Sequence, residues 1–130
     1  MFNLLWKRRD QNCEFGSLKS FYESLKDIPN YDLRTRGLRS IKTTDIVGSV
    51  GRAQELDCNF RPREEPWNDR HRLLEAMMRR GEPSEPIKVF LVQRGEKAEY
   101  YVLDGHHRVA LAKRNDFKEL NADVTEVVLM

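Results

Sequence analysis

The strongest constraint on this chain is an abrupt change of pattern over residues 100–113. Residues 100–103 form a short apolar run typical of a buried strand, and residues 106–113 have the pattern of a helix. The junction between them consists of Asp104, Gly105, His106, His107 and Arg108. A chain with this pattern must place a polar turn at one end of a sheet.

This turn has the features of an anion site. A helix start presents backbone N–H groups without helical partners and a partial positive charge, both of which suit a phosphate. Gly105 allows close approach to the main chain, and the guanidinium of Arg108 matches phosphate oxygens. Asp104 and the two histidines add acid, base or metal-ligand chemistry. The alternative is that Asp104 only caps the helix and that solvated polar residues follow it.

The rest of the pattern predicts a small α+β (α/β) domain with a mixed sheet and helices. The expected strands cover residues 41–47, 86–93, 99–103 and 120–128. The second and third of these form an antiparallel hairpin. The glycine-punctuated segment 48–52 is too degenerate for a phosphate loop and is interpreted as a simple turn.

One helix is expected over residues 69–80, with Asn68 as its N-cap and Gly81 as its stop. Its apolar face would contain Leu73, Leu74, Met77 and Met78. His71 lies between two arginines and is expected to face solvent. The order strand, helix, hairpin, helix, strand leaves the polar turn at one end of the sheet.

Residues 1–40 are predicted to form a helical and basic N-terminal extension to a domain over residues 41–130. Apolar residues at helical spacing predict a helix from Ser17 to about Ile28, where a proline follows. Residues 33–40 would then be a basic connector. Its side chains support an alternative function as a non-catalytic, DNA-associated module whose phosphate contacts come from Arg34, Arg36, Arg39 and Lys42.

Composition limits the remaining classes. The 23 basic and 21 acidic residues nearly balance, so DNA binding is compatible with the chain but not required. Cys13 and Cys58 have no paired motif and fit a reducing cytosol better than a disulfide framework. No segment approaches the roughly 20 apolar residues of a membrane span. We therefore expect a soluble, cytoplasmic protein with no membrane partner.

Residues 41–128 resemble the ParB/sulfiredoxin superfamily, the fold of the N-terminal domain of ParB partition proteins. The segment 86–89, the hairpin, the turn 104–108 and the segment 122–124 fall in the expected order. Sulfiredoxins carry a reactive cysteine where this chain has His106, which argues against sulfinic-acid repair. Partitioning ParB proteins carry a Gly-Glu-Arg-Arg turn and a DNA-binding domain after this fold, and the present turn differs.

The turn itself is similar to that of ADP-dependent free-serine kinases, which share Asp-Gly-His-His-Arg. Those enzymes also carry a Lys-Pro-His-Glu segment before the first long helix, and its glutamate is the base on the substrate hydroxyl. Residues 61–64 occupy that place here, so Glu64 falls on the catalytic position and Arg63 replaces the histidine. A long C-terminal lobe that holds serine in those kinases has no counterpart here, so nucleotide binding transfers more readily than serine phosphorylation.

The resemblance implies a nucleotide cofactor, ATP or ADP or alternatively CTP, together with Mg²⁺ and a small hydroxyl acceptor. Gly105 and the N–H groups of His106 and His107 would hold a terminal phosphate, and Arg108 would neutralise its charge. Asp104 would position the magnesium ion or the transferred group. The implied catalytic set is Glu64, Asp104 and His106.

Alternatives remain open at several of these positions. Glu64 stands among charged neighbours and could be an ordinary loop residue. A zinc site from Asp104 and the two histidines is disfavoured, because adjacent residues seldom bind one tetrahedral ion. The chain could also be an accessory subunit that supplies a nucleotide site to a partner.

Overall fold

A computed structural model of the chain describes residues 16–62 and 68–129. The described elements are the strands β1 Lys19–Ser20, β2 Tyr31–Lys42, β3 Ile46–Ser49, β4 Ile87–Arg94, β5 Lys97–Asp104 and β6 Glu119–Leu129, and the helices α1 Phe21–Ser24, α2 Asp69–Arg79 and α3 His106–Arg114. Short 3₁₀ turns cover Thr43–Asp45 and Ala53–Glu55.

The six strands form one mixed sheet in the order β1-β3-β5-β4-β6-β2. β4 and β5 are an antiparallel hairpin, as predicted. β3 runs parallel to β5, and β4 runs parallel to β6. The expected small α+β fold with a mixed sheet is confirmed.

The sheet has a buried cluster on each side. Alternation along β4 sends Val89 toward the side covered by α3, where it packs with Val102 and Val109. Val92 points to the other side, where it packs with Phe21 of α1 and Tyr101. The sheet is therefore the middle layer of the domain, and α3 packs against it through apolar side chains that include Val109.

The N-terminal predictions need correction. The helix expected from Ser17 to about Ile28 is only the four-residue α1, and the expected basic connector 33–40 is part of β2. The predicted boundary at residue 40 therefore falls inside a strand. β2 pairs with β6 through a bulge between Thr35 and Gly37, and this extra residue breaks the alternation by which a strand is recognised in sequence.

The expected first strand 41–47 is also divided. The chain turns at Thr43–Asp45, where the Thr43 hydroxyl donates to the Phe117 carbonyl at 2.7 Å. β2 therefore ends at Lys42 and β3 begins at Ile46, so the segment predicted as one strand contains the end of one strand and the start of the next. Helix α2 confirms its predicted position and its Asn68 cap, although Leu73 lies exposed rather than on the apolar face.

Within the described ranges, no helix combines the length and apolar character needed to cross a membrane. Cys58 is disulfide-bonded, so the expectation of reduced cysteines is wrong for this residue. The spacing of cysteines along the chain carries no information about which sulfurs the fold brings together, and this explains the error.

We expect Gly105→Ala to destabilise the protein by about 2–4 kcal/mol, because it adds backbone strain to a steric clash. Gly105 has φ +106°, and a β-carbon there would lie 2.5 Å from Ile87 Cγ2. Urea denaturation measures the change. Gly95→Ala is the matched control, since Gly95 has φ +63° with open space around it and should cost only about 1–2 kcal/mol. Equal losses in the two variants would contradict a packing role for Gly105.

Candidate functional site

Two polar turns meet at the carboxyl ends of β3 and β5. Because these strands are parallel neighbours, the segment 48–52, whose first two residues end β3, lies beside the turn that follows β5. Ser49 Oγ lies 2.8 Å from His106 Nε2, and the Arg52 backbone N–H donates to Ser49 Oγ at 2.9 Å. The segment interpreted as a simple turn is thus bonded directly to the Asp-Gly-His-His-Arg turn.

His106 is an uncharged, buried anchor of this junction. Its side chain packs against Phe60, with ring centroids 6.2 Å apart. Burial, with the nearby positive charge of Arg52 and then of His107, lowers the pKa of His106 to about 4. His106 is therefore neutral at pH 7, and any anion at this turn gains from its backbone N–H rather than from an imidazolium charge.

Helix α3 begins without a side-chain cap. Its N-cap is Gly105, which has no side chain to accept a hydrogen bond from the first turn. The alternative in which Asp104 caps this helix is therefore wrong. Asp104 instead ends β5 with an exposed side chain near His106. The start of α3 thus retains the polarity that favours an anion.

A cavity of about 200 Å³ lies where α2 and α3 both begin. It is lined by Asn68, Arg70, His71, Leu74 and His107. The rings of His71 and His107 meet edge to face with centroids 4.5 Å apart. Two helix N-termini, two imidazoles and a guanidinium therefore border one small space.

His71 is buried, so the expectation that it faces solvent is wrong. Its Nδ1 accepts the Asn68 backbone N–H at 3.2 Å, while the Asn68 side chain accepts the Arg70 and His71 N–H groups at 2.9 and 3.2 Å. This is a capping box with histidine in the position usually held by Glu or Gln. The spacing Asn68-x-x-His71 was the sequence signal that could have identified it.

The structure separates the side chain of Arg108 from those of His106 and His107. Successive helical residues point about 100° apart, so these three side chains face three different neighbours. Arg108 donates to the Glu85 carbonyl and lines a second cavity of about 420 Å³ beside the loop after α2. The residues that the sequence predicts as a phosphate site are consecutive along the backbone, but their side chains point to different parts of the structure.

The roles predicted for Glu64 and Asp104 have no further support from the described residues. Glu64, proposed as the catalytic base, lies outside the described residues. Among the residues that are described, no group of three His, Cys, Asp or Glu side chains could hold a metal ion. Asp104 as a magnesium ligand stays a prediction, and a single carboxylate is compatible with Mg²⁺ because water and phosphate supply most of its ligands.

Comparison with known proteins assigns this chain to no family. A scan against protein-family models and a search of curated proteins both give no match to the chain. The resemblance to the ParB/sulfiredoxin superfamily therefore stays a prediction from its motifs.

The buried neutral His106 predicts a loss of stability in acid. Its folded pKa of about 4 lies below the ordinary value of 6.5, so the unfolded chain binds the proton more tightly. The contribution of His106 is complete above about pH 6.5 and is lost as the pH falls toward 4. Its upper limit is about 3 kcal/mol, since one pKa unit corresponds to about 1.4 kcal/mol.

Urea denaturation between pH 7 and pH 4 measures this dependence. His106→Gln keeps a polar side chain that does not titrate, so its stability should vary less with pH over the same interval. A profile as steep as that of the wild type would show that other groups cause the acid loss.

Proposed function

We propose that this protein binds a nucleotide and that the terminal phosphate enters the cavity between the starts of α2 and α3. The observation that carries the proposal is the edge-to-face contact of His71 and His107 where α2 and α3 begin. The start of α3, whose N-cap is a glycine, contributes roughly half a positive charge, and Arg70 adds a full one. This positive charge matches a phosphate better than a neutral ligand.

The size of the cavity limits what enters it. A volume of about 200 Å³ suits a phosphoryl group, whereas pockets that enclose whole drug-sized ligands have about 300–1,000 Å³. The ribose and base would therefore lie outside the cavity. The proposal leaves ATP, ADP and CTP as candidates, since none of the lining residues reads a base.

The imidazoles fit this role by hydrogen bonding. His71 Nδ1 accepts the Asn68 backbone N–H, so a neutral His71 ring carries its proton on Nε2. In this proposal His107 and His71 both donate to the same anion.

We further propose that the bound nucleotide transfers its terminal phosphate to a small hydroxyl acceptor. The acceptor oxygen forms a bond to the terminal phosphorus while the bond to the leaving nucleotide oxygen breaks. Glu64 takes the hydroxyl proton. Asp104 would hold a Mg²⁺ ion, which would supply positive charge to offset the charge on the leaving group. This step rests on the resemblance of residues 61–64 and 104–108 to free-serine kinases.

The cytoplasm is the proposed location. Disulfides are rare there, so a Cys58 disulfide that persists in cells would argue for an oxidising compartment instead.

Calorimetry with ATP, ADP and CTP, each with and without Mg²⁺, tests nucleotide binding. Arg70→Ala and His107→Ala should each weaken binding by about tenfold or more, because each removes a donor that meets a charged oxygen. Arg72→Ala is the matched control, since Arg72 lies on the same helix but points to Asp69 and solvent.

Unchanged affinity in Arg70→Ala and His107→Ala would exclude this cavity as the phosphate site. Loss of binding only in Arg108→Ala would instead place the phosphate in the cavity beside Glu85. Absence of binding by all three nucleotides would overturn the proposed function.

Phosphoryl transfer is tested separately with a panel of hydroxyl amino acids and ³¹P NMR. Glu64→Gln should lower the rate by about 10²–10⁴-fold, the usual contribution of a general base, with nucleotide affinity unchanged. Glu65→Gln makes the same chemical change one residue further on and should keep the rate. Equal rates in both variants would remove Glu64 from the mechanism.

A further inference from the structure

β2 forms one edge of the sheet and is strongly exposed along its length. It is 12 residues long and, within the described part of the chain, pairs only with β6. Ten of its residues are exposed, and only Ile41 is buried. In an edge strand, alternate N–H and C=O groups point away from the sheet and can pair with another extended chain.

Because of the bulge in β2, its leucines lie on one face of the strand and its arginines on the other. Leu33 lies opposite Val127 and Leu38 opposite Asp123, so the two leucines share one face although their positions differ by five. Without the extra residue, an odd separation would put them on opposite faces. Arg34 and Arg39 lie opposite Glu126 and Ala122, and therefore share the other face.

The two faces of this edge have different character. The leucine face presents two open apolar side chains, since Leu33 and Leu38 are 49 % and 71 % exposed. The arginine face carries a third guanidinium, because Arg36 reaches Glu126 at 2.9 Å. Arg34 pairs with Asp32 at 3.3 Å. Exposed pairs of this kind contribute little, so an incoming carboxylate could exchange with them.

We propose that the edge of β2 binds an extended acidic peptide, which joins the sheet as a further strand. The main-chain groups of β2 hold the peptide backbone. Acidic side chains of the peptide meet the arginine face, and the apolar side chains between them cover Leu33 and Leu38. The recognised sequence is therefore an alternation of acidic and apolar residues.

Charge and geometry favour this occupant over two others. A second copy paired antiparallel at the same edge would be related by a twofold axis normal to the sheet, which keeps each face on its own side. The arginines of the two copies would then meet, and like charges across strands are destabilising. A nucleic-acid backbone would use the arginines but leave the leucines and the main-chain groups without partners.

The test uses a synthetic peptide of about seven alternating glutamate and valine residues. Fluorescence anisotropy with the full-length protein should show binding that weakens as salt is added. Arg39→Glu should weaken binding by about tenfold or more. Lys97→Glu, which makes the same charge change at the exposed β4–β5 turn, should have no effect.

Two peptide controls separate the contributions. N-methylation of alternate peptide bonds removes main-chain donors and should abolish binding, and replacement of glutamate by lysine should do the same. Equal binding by either control would overturn the proposal. So would absence of binding by the parent peptide, stronger binding of duplex DNA that Arg39→Glu abolishes, or a dimer at micromolar concentration that Leu38→Lys dissociates.

Discussion

The contact between Gly105 and Ile87 is the constraint on which the candidate site depends. The start of α3 lies so close to β4 that no β-carbon fits between them. This approach sets the direction in which α3 leaves the sheet, and with it the neighbours of the next three side chains. His106 turns to Ser49, His107 to His71, and Arg108 to the Glu85 carbonyl. The glycine that sequence analysis assigned to ligand approach is therefore required first by packing.

A buried carboxylate in the middle of α2 connects this helix to the end of α3. Glu75 of α2 accepts from Asn115 Nδ2 at 2.8 Å and lies 3.4 Å from Arg114 Nε, both at the end of α3. Buried charges of this kind are costly when one partner is removed. The network therefore links α2 to the end of α3, whereas the cavity lined by His71 and His107 lies where both helices begin.

Local patterns predicted most elements of this fold correctly. The hairpin, α2 with its Asn68 cap, α3 and β6 all follow from periodicity and turn chemistry, which act over a few residues. β2 was missed because a bulge interrupts its alternation and because both of its faces carry exposed side chains. An edge strand needs little burial, so the hydrophobic signal by which strands are recognised is weak there.

The candidate site was likewise predicted only in part from local sequence. The polar turn 104–108 was predicted as a site because its residues are adjacent in sequence. Its partners were not, because Ser49 and His71 reach it only through the parallel pairing of β3 with β5 and the packing of α2 on α3. A lone histidine between arginines is indistinguishable in sequence from a solvated one. Its burial depends on a second helix that begins about 35 residues later, and only tertiary structure brings the two rings together.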